Sequence, residues 1–212
     1  MIFSKAEYLS RLAKVKKSMD QKNMDVIILT DPSNMHYLTG YDGWSFYVPQ
    51  GIIVALDLDE PIWFGRRQDS KGAKVTTYLQ DKNIIYYPED LIQSPPTHPY
   101  DFVSSFIHEN NWANKNIGVE MDAYYYTAEN HYRLTSTCPN VNFSDATLLV
   151  NWIRLIKSDN EIKYMKEGAK LVEAGMQTAY ENIKPGVKQS YVAGKIQNSL
   201  IGGNEEINIG GE

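Results

Sequence analysis

The residues best suited to binding chemistry lie between 31 and 50, a stretch that holds five aromatic side chains together with His36 and Asp42. Aromatic rings in a loop provide stacking surfaces, so Trp44 or Phe46 can cover a bound ligand. The alternative is that the rings cap the core of a small sheet, and composition alone favours this alternative. Trp44 and Phe46 are therefore candidate substrate-binding residues, with both interpretations open.

A second candidate group lies at 63–69, where Arg66 and Arg67 follow an apolar segment. A guanidinium at the end of a strand can hold a substrate carboxylate through two parallel hydrogen bonds. The alternative is a surface ion pair with Asp69, and the sequence slightly favours it. Arg66 is the arginine that we retain as a candidate substrate-binding residue.

The sequence shows no motif of a self-contained active site: G-x-S-x-G, H-E-x-x-H and the P-loop are all missing. None of the four histidines sits at metal-ligand spacing. The single cysteine, Cys138, is predicted to be a small buried hydrophobic residue. We therefore predict neither a catalytic residue nor a metal site in this chain.

Composition indicates a globular protein, because 42% of the 212 residues are apolar and 22% are charged. The net charge of −5, without a basic stripe, argues against a nucleic-acid partner. The longest apolar runs are far shorter than the roughly 20 residues that span a bilayer. A lone cysteine favours a reducing compartment, and no signal peptide is visible at the start. The expectation is a cytoplasmic protein with no membrane partner.

The hydrophobic pattern predicts helices that alternate with short strands along the first two thirds of the chain. The predicted helices cover 4–23, 69–79, 100–112 and 127–137, with a helical turn at 34–38. The predicted strands cover 25–30, 45–48, 51–56, 61–64, 83–87, 117–121 and 141–143. Such alternation is typical of an α/β domain with a mixed sheet and helices on its faces, which we place at 1–150.

A long amphipathic helix is predicted over 158–184. Ser158 and Glu161 have the spacing of a capping box that opens it. Small or apolar residues recur on one face at 162, 165, 169, 172, 176, 179 and 183. A second helix is predicted over 189–200. Because little sequence follows to cover the apolar face, we interpret 151–212 as a linker and the start of a truncated domain, and the chain as the front half of something larger.

Several motifs resemble the creatinase/prolidase/aminopeptidase P family. The string D-P-x-N-x-x-Y-L-T-G-Y at 31–41 resembles the family's N-terminal domain. The string R-x-x-K-S-x-x-E-I at 154–162 resembles the opening of its catalytic domain, which has the pita-bread fold. The blocks at 40–50, 64–66 and 118–122 most resemble the ectoine hydrolase branch. The resemblance implies a creatinase-like N-terminal domain followed by the first two helices of an incomplete pita-bread domain.

The resemblance also implies an activity, the hydrolysis of a C–N bond in a small zwitterion or in an Xaa-Pro peptide. Family peptidases use two divalent metals held by two Asp, one His and two Glu, whereas creatinase-like members use a His and Glu residues without metal. In both cases these groups belong to the pita-bread domain. The resemblance therefore implies no cofactor in this chain, and a divalent metal in the missing catalytic half only if the protein is peptidase-like.

Peripheral roles are what the resemblance can transfer to this chain. In creatinase-like homodimers, the N-terminal domain of one subunit lends a Phe and an Arg to the substrate carboxylate of the other. Phe46 matches that Phe by its place after Ser45, but Val48 occupies the place of the Arg. Our hypothesis is that Arg66 takes over the role of the missing Arg. Trp44 is the other candidate lid residue.

These inferences predict the N-terminal part of an ectoine-hydrolase-like enzyme that works as a homodimer. On this interpretation the chain supplies dimerisation and lid surfaces and is inactive alone. One alternative is a non-enzymatic module, derived from the family, that binds a small molecule or a protein. Another is a fragment of an Xaa-Pro dipeptidase or aminopeptidase.

Overall fold

A computed structural model describes residues 2–202 of the chain. The chain divides into two compact units, Met1–Leu155 and Ile156–Glu212. The sequence placed the boundary at residue 150, which falls inside a short helix, Leu149–Arg154, that belongs to the first unit. The end of the predicted second segment, 203–212, lies outside the described residues.

A six-stranded mixed sheet forms the centre of the first unit, with the strand order β4-β3-β2-β1-β5-β6. The strands are β1 (Val26–Leu29), β2 (Gly51–Ala55), β3 (Ile62–Arg66), β4 (Ile84–Tyr87), β5 (Asn116–Val119) and β6 (Asn142–Asp145). β2 runs antiparallel to both of its neighbours, and the other pairs are parallel. The predicted mixed sheet is confirmed.

Helices cover both faces of this sheet. They are α1 (Lys5–Gln21), α2 (Pro32–Thr39), α3 (Arg67–Thr76), α4 (Pro99–Glu109), α5 (Ala128–Thr137) and α6 (Leu149–Arg154). Successive side chains of a strand point to opposite faces, so Ile27 and Leu29 join a core with α1, α2 and α6. Val26 and Ile28 join the second core, with α4 and α5. The predicted helix layers on both faces are therefore confirmed.

Local capping explains where α2 begins and ends. The Asp31 carboxylate accepts hydrogen bonds from the backbone N–H of Ser33 and of Asn34, at 2.8 and 3.1 Å. Gly40 ends the helix in the left-handed region, at φ 81°, where a side chain would be strained. The helical turn predicted at 34–38 is thus confirmed and extended.

The strand predicted at 45–48 is wrong, because 46–48 form bends and none of the four residues pairs with a strand. The backbone N–H of Val48 donates to the hydroxyl oxygen of Ser45 at 3.1 Å instead of to a neighbouring strand. Pro49 then has no N–H to offer a sheet ladder. The chain therefore joins the sheet only at Gly51, and the preceding residues remain a loop.

The second unit contains α7 (Asp159–Asn182) and α8 (Gln189–Gly202). The predicted capping box is present, because Glu161 N–H donates to Ser158 Oγ at 3.1 Å and Ser158 N–H donates to Glu161 Oε2 at 2.8 Å. α8 packs on α7 at Gly175, where a Cβ would lie 2.8 Å from Leu200 Cδ2. Most large side chains of the predicted apolar face are exposed to solvent. Their exposed fractions are 40–66% for Ile162, Met165, Val172, Met176 and Ile183.

Candidate functional site

One edge of the sheet gathers the candidate residues. The strand register aligns Gly51, at the start of β2, with Phe64 near the end of β3, and aligns Val119 with Asp145 at the ends of β5 and β6. The loops after β1, β3, β4, β5 and β6 and the loop before β2 therefore meet at this edge, which we call the carboxyl edge. Open α/β sheets bind ligands at such an edge.

The aromatic residues of 31–50 separate into two groups at the carboxyl edge. Tyr37 and Tyr41 are buried in the core, as the core-capping alternative expects. Trp44 and Phe46 are 62% and 84% exposed, so neither of these rings caps the core. Tyr47 is also largely exposed. Exposed rings of this size are suited to contact with a ligand or another protein.

Tyr41 fixes one end of the loop that carries these exposed rings. Its hydroxyl donates to Gln50 Oε1 at 3.0 Å, and its ring lies 5.4 Å from that of Trp63. Burial raises the pKa of the Tyr41 hydroxyl to about 12, so it stays protonated and can donate at neutral pH. Loop 42–49 is therefore anchored across its base, with Trp44 and Phe46 between the anchors.

Trp44 and Phe46 line different hollows. Trp44 lines an open hollow of about 420 Å³ beside α2, together with His36, Asp42 and Arg154. Phe46 lines a separate cavity of about 310 Å³, which the starts of α4 and α5 also border. The two predicted lid residues thus share a loop but are not brought together at one hollow.

Arg66 lies at the end of β3, as the sequence predicted. Its Nη2 donates to Asp69 Oδ1 at 3.1 Å, which is the ion pair that the sequence left open as the alternative. The hydrogen bond to Asp69 raises the pKa of the Arg66 guanidinium, against the effect of desolvation. A carboxylate partner is therefore already present, and a substrate carboxylate would have to replace Asp69.

Sequence reasoning missed a buried network at the same edge, centred on Glu120. This carboxylate accepts hydrogen bonds from Thr30 N–H at 2.7 Å, Asp31 N–H at 3.0 Å and Asn34 Nδ2 at 2.6 Å. Burial raises the pKa of Glu120, and the three donors oppose that shift. The network joins the ends of β1 and β5 to the first turn of α2.

Asn34 extends this network to α6. Its amide also donates to Asn151 Oδ1 at 2.9 Å, and its carbonyl oxygen accepts from Arg154 Nη1 at 2.7 Å. Glu120, Asn34 and Arg154 belong to three separate motif blocks. Their residue types alone did not indicate that the three side chains are in contact. The network positions the carboxyl edge, and nothing in its geometry gives it a chemical step of its own.

The remaining sequence candidates occupy structural positions. Cys138 is buried, as predicted, and burial raises the pKa of its thiol. Among residues 2–202, no three His, Cys, Asp or Glu side chains are grouped closely enough to hold a metal ion. No helix within the described range is both long and apolar enough to cross a bilayer.

Comparison with known proteins identifies relatives along almost the whole chain. An uncharacterized hydrolase/peptidase of Sinorhizobium fredii is 46% identical over 209 residues, covering 99% of this chain and 53% of the relative. Ectoine hydrolase of Halomonas elongata is 42% identical over 195 residues, covering 92% of this chain and 49% of the enzyme. The chain thus spans about half the length of the curated relatives it matches.

Solved structures agree on the fold. The Xaa-Pro dipeptidase from Bacillus anthracis superposes with a TM-score of 0.72 at 19% identity, covering 91% of this chain and 48% of that protein. This coverage reaches past Leu155 and so includes helices of the second unit, as expected for the start of a pita-bread domain. The Creatinase/Prolidase N-terminal domain family matches residues 11–156, and the chain belongs to that family.

Proposed function

We propose that this chain is the N-terminal part of a C–N bond hydrolase whose chemistry is that of an ectoine hydrolase. The observation that carries the proposal is the 42% identity to ectoine hydrolase of Halomonas elongata across 92% of the chain. Creatinase from Bacillus is 24% identical over 90% of the chain, which favours an ectoine-type over a creatine-type substrate. The proposed substrate is a small zwitterion.

In this proposal the chain supplies a lid and a dimerisation surface. The support is the pair of exposed rings, Trp44 and Phe46, held on an anchored loop at the carboxyl edge. Phe46 would cover substrate bound by the second subunit of a homodimer, and Trp44, which lines the other hollow, would be a separate lid residue on the same loop. Val48, which occupies the place of the family's Arg, is uncharged and cannot bind a carboxylate. Arg66 would bind the substrate carboxylate instead, after its ion pair with Asp69 is broken.

The bond-breaking groups are proposed to lie outside this chain. In the hydrolysis, water attacks the amidine or amide carbon, a general base takes the proton of that water, and a general acid protonates the departing nitrogen. The resemblance of 154–162 to the opening of the catalytic domain supports the proposal that these groups, and any divalent metal, belong to the part of the relatives that this chain does not cover. The 212-residue chain alone is accordingly proposed to be inactive. Its proposed location is the cytoplasm.

Substitution of Phe46 tests the lid role in a longer protein that extends this chain to the full length of its relatives. Phe46→Ala should raise KM for ectoine about tenfold, because one aromatic contact of about 1–1.5 kcal/mol is lost. Tyr132→Ala is the matched control, since Tyr132 is an exposed aromatic on α5 that lines neither hollow. Equal kinetics for both variants and the native protein would reject the lid role.

Two other functions make different predictions in the same assay. The first is that the chain is a fragment of an Xaa-Pro peptidase, which the likeness to dipeptidase structures favours. In that case the longer protein would cleave Xaa-Pro dipeptides and would lose this activity when a chelator removes its metal. A non-enzymatic binding module is favoured by the hollows that this chain forms by itself, and it would bind a small molecule without turnover. Ectoine turnover by the longer protein separates the hydrolase from both.

A further inference from the structure

The cavity beside Phe46 is built entirely within the first unit. Loop 45–50 forms one wall, and the starts of α4 and α5 form the opposite wall. Its volume is about 310 Å³, at the lower end of the roughly 300–1,000 Å³ that is usual for small-molecule pockets. The cavity is therefore large enough for a small ring compound.

Gln50 gives this cavity an unused hydrogen-bond donor. The residue is only 6% exposed and lines the cavity. Its Oε1 accepts from the Tyr41 hydroxyl at 3.0 Å, but its amide nitrogen has no hydrogen-bond partner among the residues that the structure describes. That nitrogen is not one of the fully buried polar atoms without a partner, so it retains access and can donate to a ligand that brings an acceptor into the cavity.

His98 is a second donor on a residue that lines the cavity. Its Nδ1 accepts the Tyr100 backbone N–H at 3.1 Å, which places the ring proton on Nε2. Burial, and then the nearby Arg133, lower the pKa of His98, so the ring is neutral at pH 7. It offers an N–H without a positive charge.

The lining of the cavity indicates an uncharged ligand. Lys, Arg, Asp and Glu are all absent from the described residues that line it. The dipoles of α4 and α5 direct partial positive charge toward the cavity, but Asp101 and Glu129 in their first turns offset it. A full negative charge would therefore meet no charged side chain in the lining, whereas a carbonyl oxygen would find N–H donors.

We propose that this cavity binds an uncharged amide, whose carbonyl oxygen meets Gln50 and His98 while an apolar or aromatic body lies against Phe46, Tyr47 and Tyr124. The ring of Tyr124 is 98% exposed at the cavity rim and has a free face for stacking. Binding here requires no hydrolytic activity. The binding test below and the ectoine assay therefore test two separate proposals, and failure of one does not decide the other.

A ligand-observed NMR titration of the 212-residue chain with benzamide tests this inference. Benzamide should bind with a dissociation constant on the order of millimolar, as expected for a fragment of its size. Benzoate and benzylamine have the same ring but carry a charge, and each should bind about tenfold more weakly. Benzoate binding tighter than benzamide would overturn the assignment to an uncharged ligand.

Two variants connect the binding to the named residues. Gln50→Glu keeps the acceptor for Tyr41 but removes the donor, and should weaken benzamide binding about tenfold. Gln80→Glu, at an exposed position outside the cavity, is the matched control and should change it less than about twofold. Tyr124→Ala removes a fully exposed ring, so folding is kept, and should weaken binding about threefold.

Three results would contradict the proposal. The first is the lack of saturable benzamide binding at millimolar concentration. The second is unchanged binding in a folded Gln50→Glu variant. If that variant does not fold, unchanged binding by Tyr124→Ala decides against the proposal instead.

Discussion

Asn34 should be one of the most sensitive positions for stability in the first unit. Its side chain is 1% exposed and makes three hydrogen bonds: to Glu120 at 2.6 Å, to Asn151 at 2.9 Å and from Arg154 at 2.7 Å. Two of these involve a charged partner and are worth about 1.5–3 kcal/mol each, and the neutral one about 0.5–1.5 kcal/mol. Some relaxation will recover part of this, so Asn34→Ala should lower the free energy of unfolding by about 3–4 kcal/mol.

Urea denaturation followed by tryptophan fluorescence measures this loss. Trp63 and Trp112 are buried in the first unit and report its unfolding. Asn142→Ala is the control, because the Asn142 amide bonds Asn116 at the surface and its loss should cost less than about 0.5 kcal/mol. A loss below about 1 kcal/mol for Asn34→Ala would show that this network does not hold the carboxyl edge.

Three further predictions follow from individual contacts. Gly40→Ala should cost about 1–3 kcal/mol in urea denaturation, because φ is +81° and the new Cβ would lie 2.8 Å from the Tyr8 hydroxyl oxygen, whereas Gly72→Ala, with open space around it, should not destabilise. Burial lowers the pKa of His98 below 6.5, so the unfolded chain binds a proton at His98 more readily than the folded chain does. The free energy of unfolding should therefore fall as pH drops below about 6.5. His98→Asn keeps a capping acceptor and should remove the part of this pH dependence that is due to His98. Cys138 should react with a thiol reagent only on unfolding, and rapid reaction in the native state would contradict its burial.

The sequence was informative wherever the signal is local. The capping box at Ser158 and Glu161 depends on residues three positions apart, and the structure has it. The Arg66–Asp69 pair is local in the same sense, because the residues are three positions apart. Short-range geometry of this kind depends little on the rest of the fold.

Long-range features could not be obtained in this way. Glu120 meets Asn34 across 86 positions, and Arg154 meets Asn34 across 120, so no periodic pattern connects them. The error at 45–48 has a related cause, because Ser45 satisfies Val48 locally where the apolar pattern suggested a strand. Which rings of 31–50 are buried was also a tertiary question, decided by the packing of Tyr37 and Tyr41 into the core.

Turnover of ectoine, assayed side by side for the 212-residue chain and the longer protein, decides whether the bond-breaking groups lie outside this chain. We expect the longer protein to open the C–N bond of ectoine and the purified 212-residue chain to leave it intact. Robust turnover by the 212-residue chain, or a folded longer protein that leaves ectoine unchanged, would contradict this expectation.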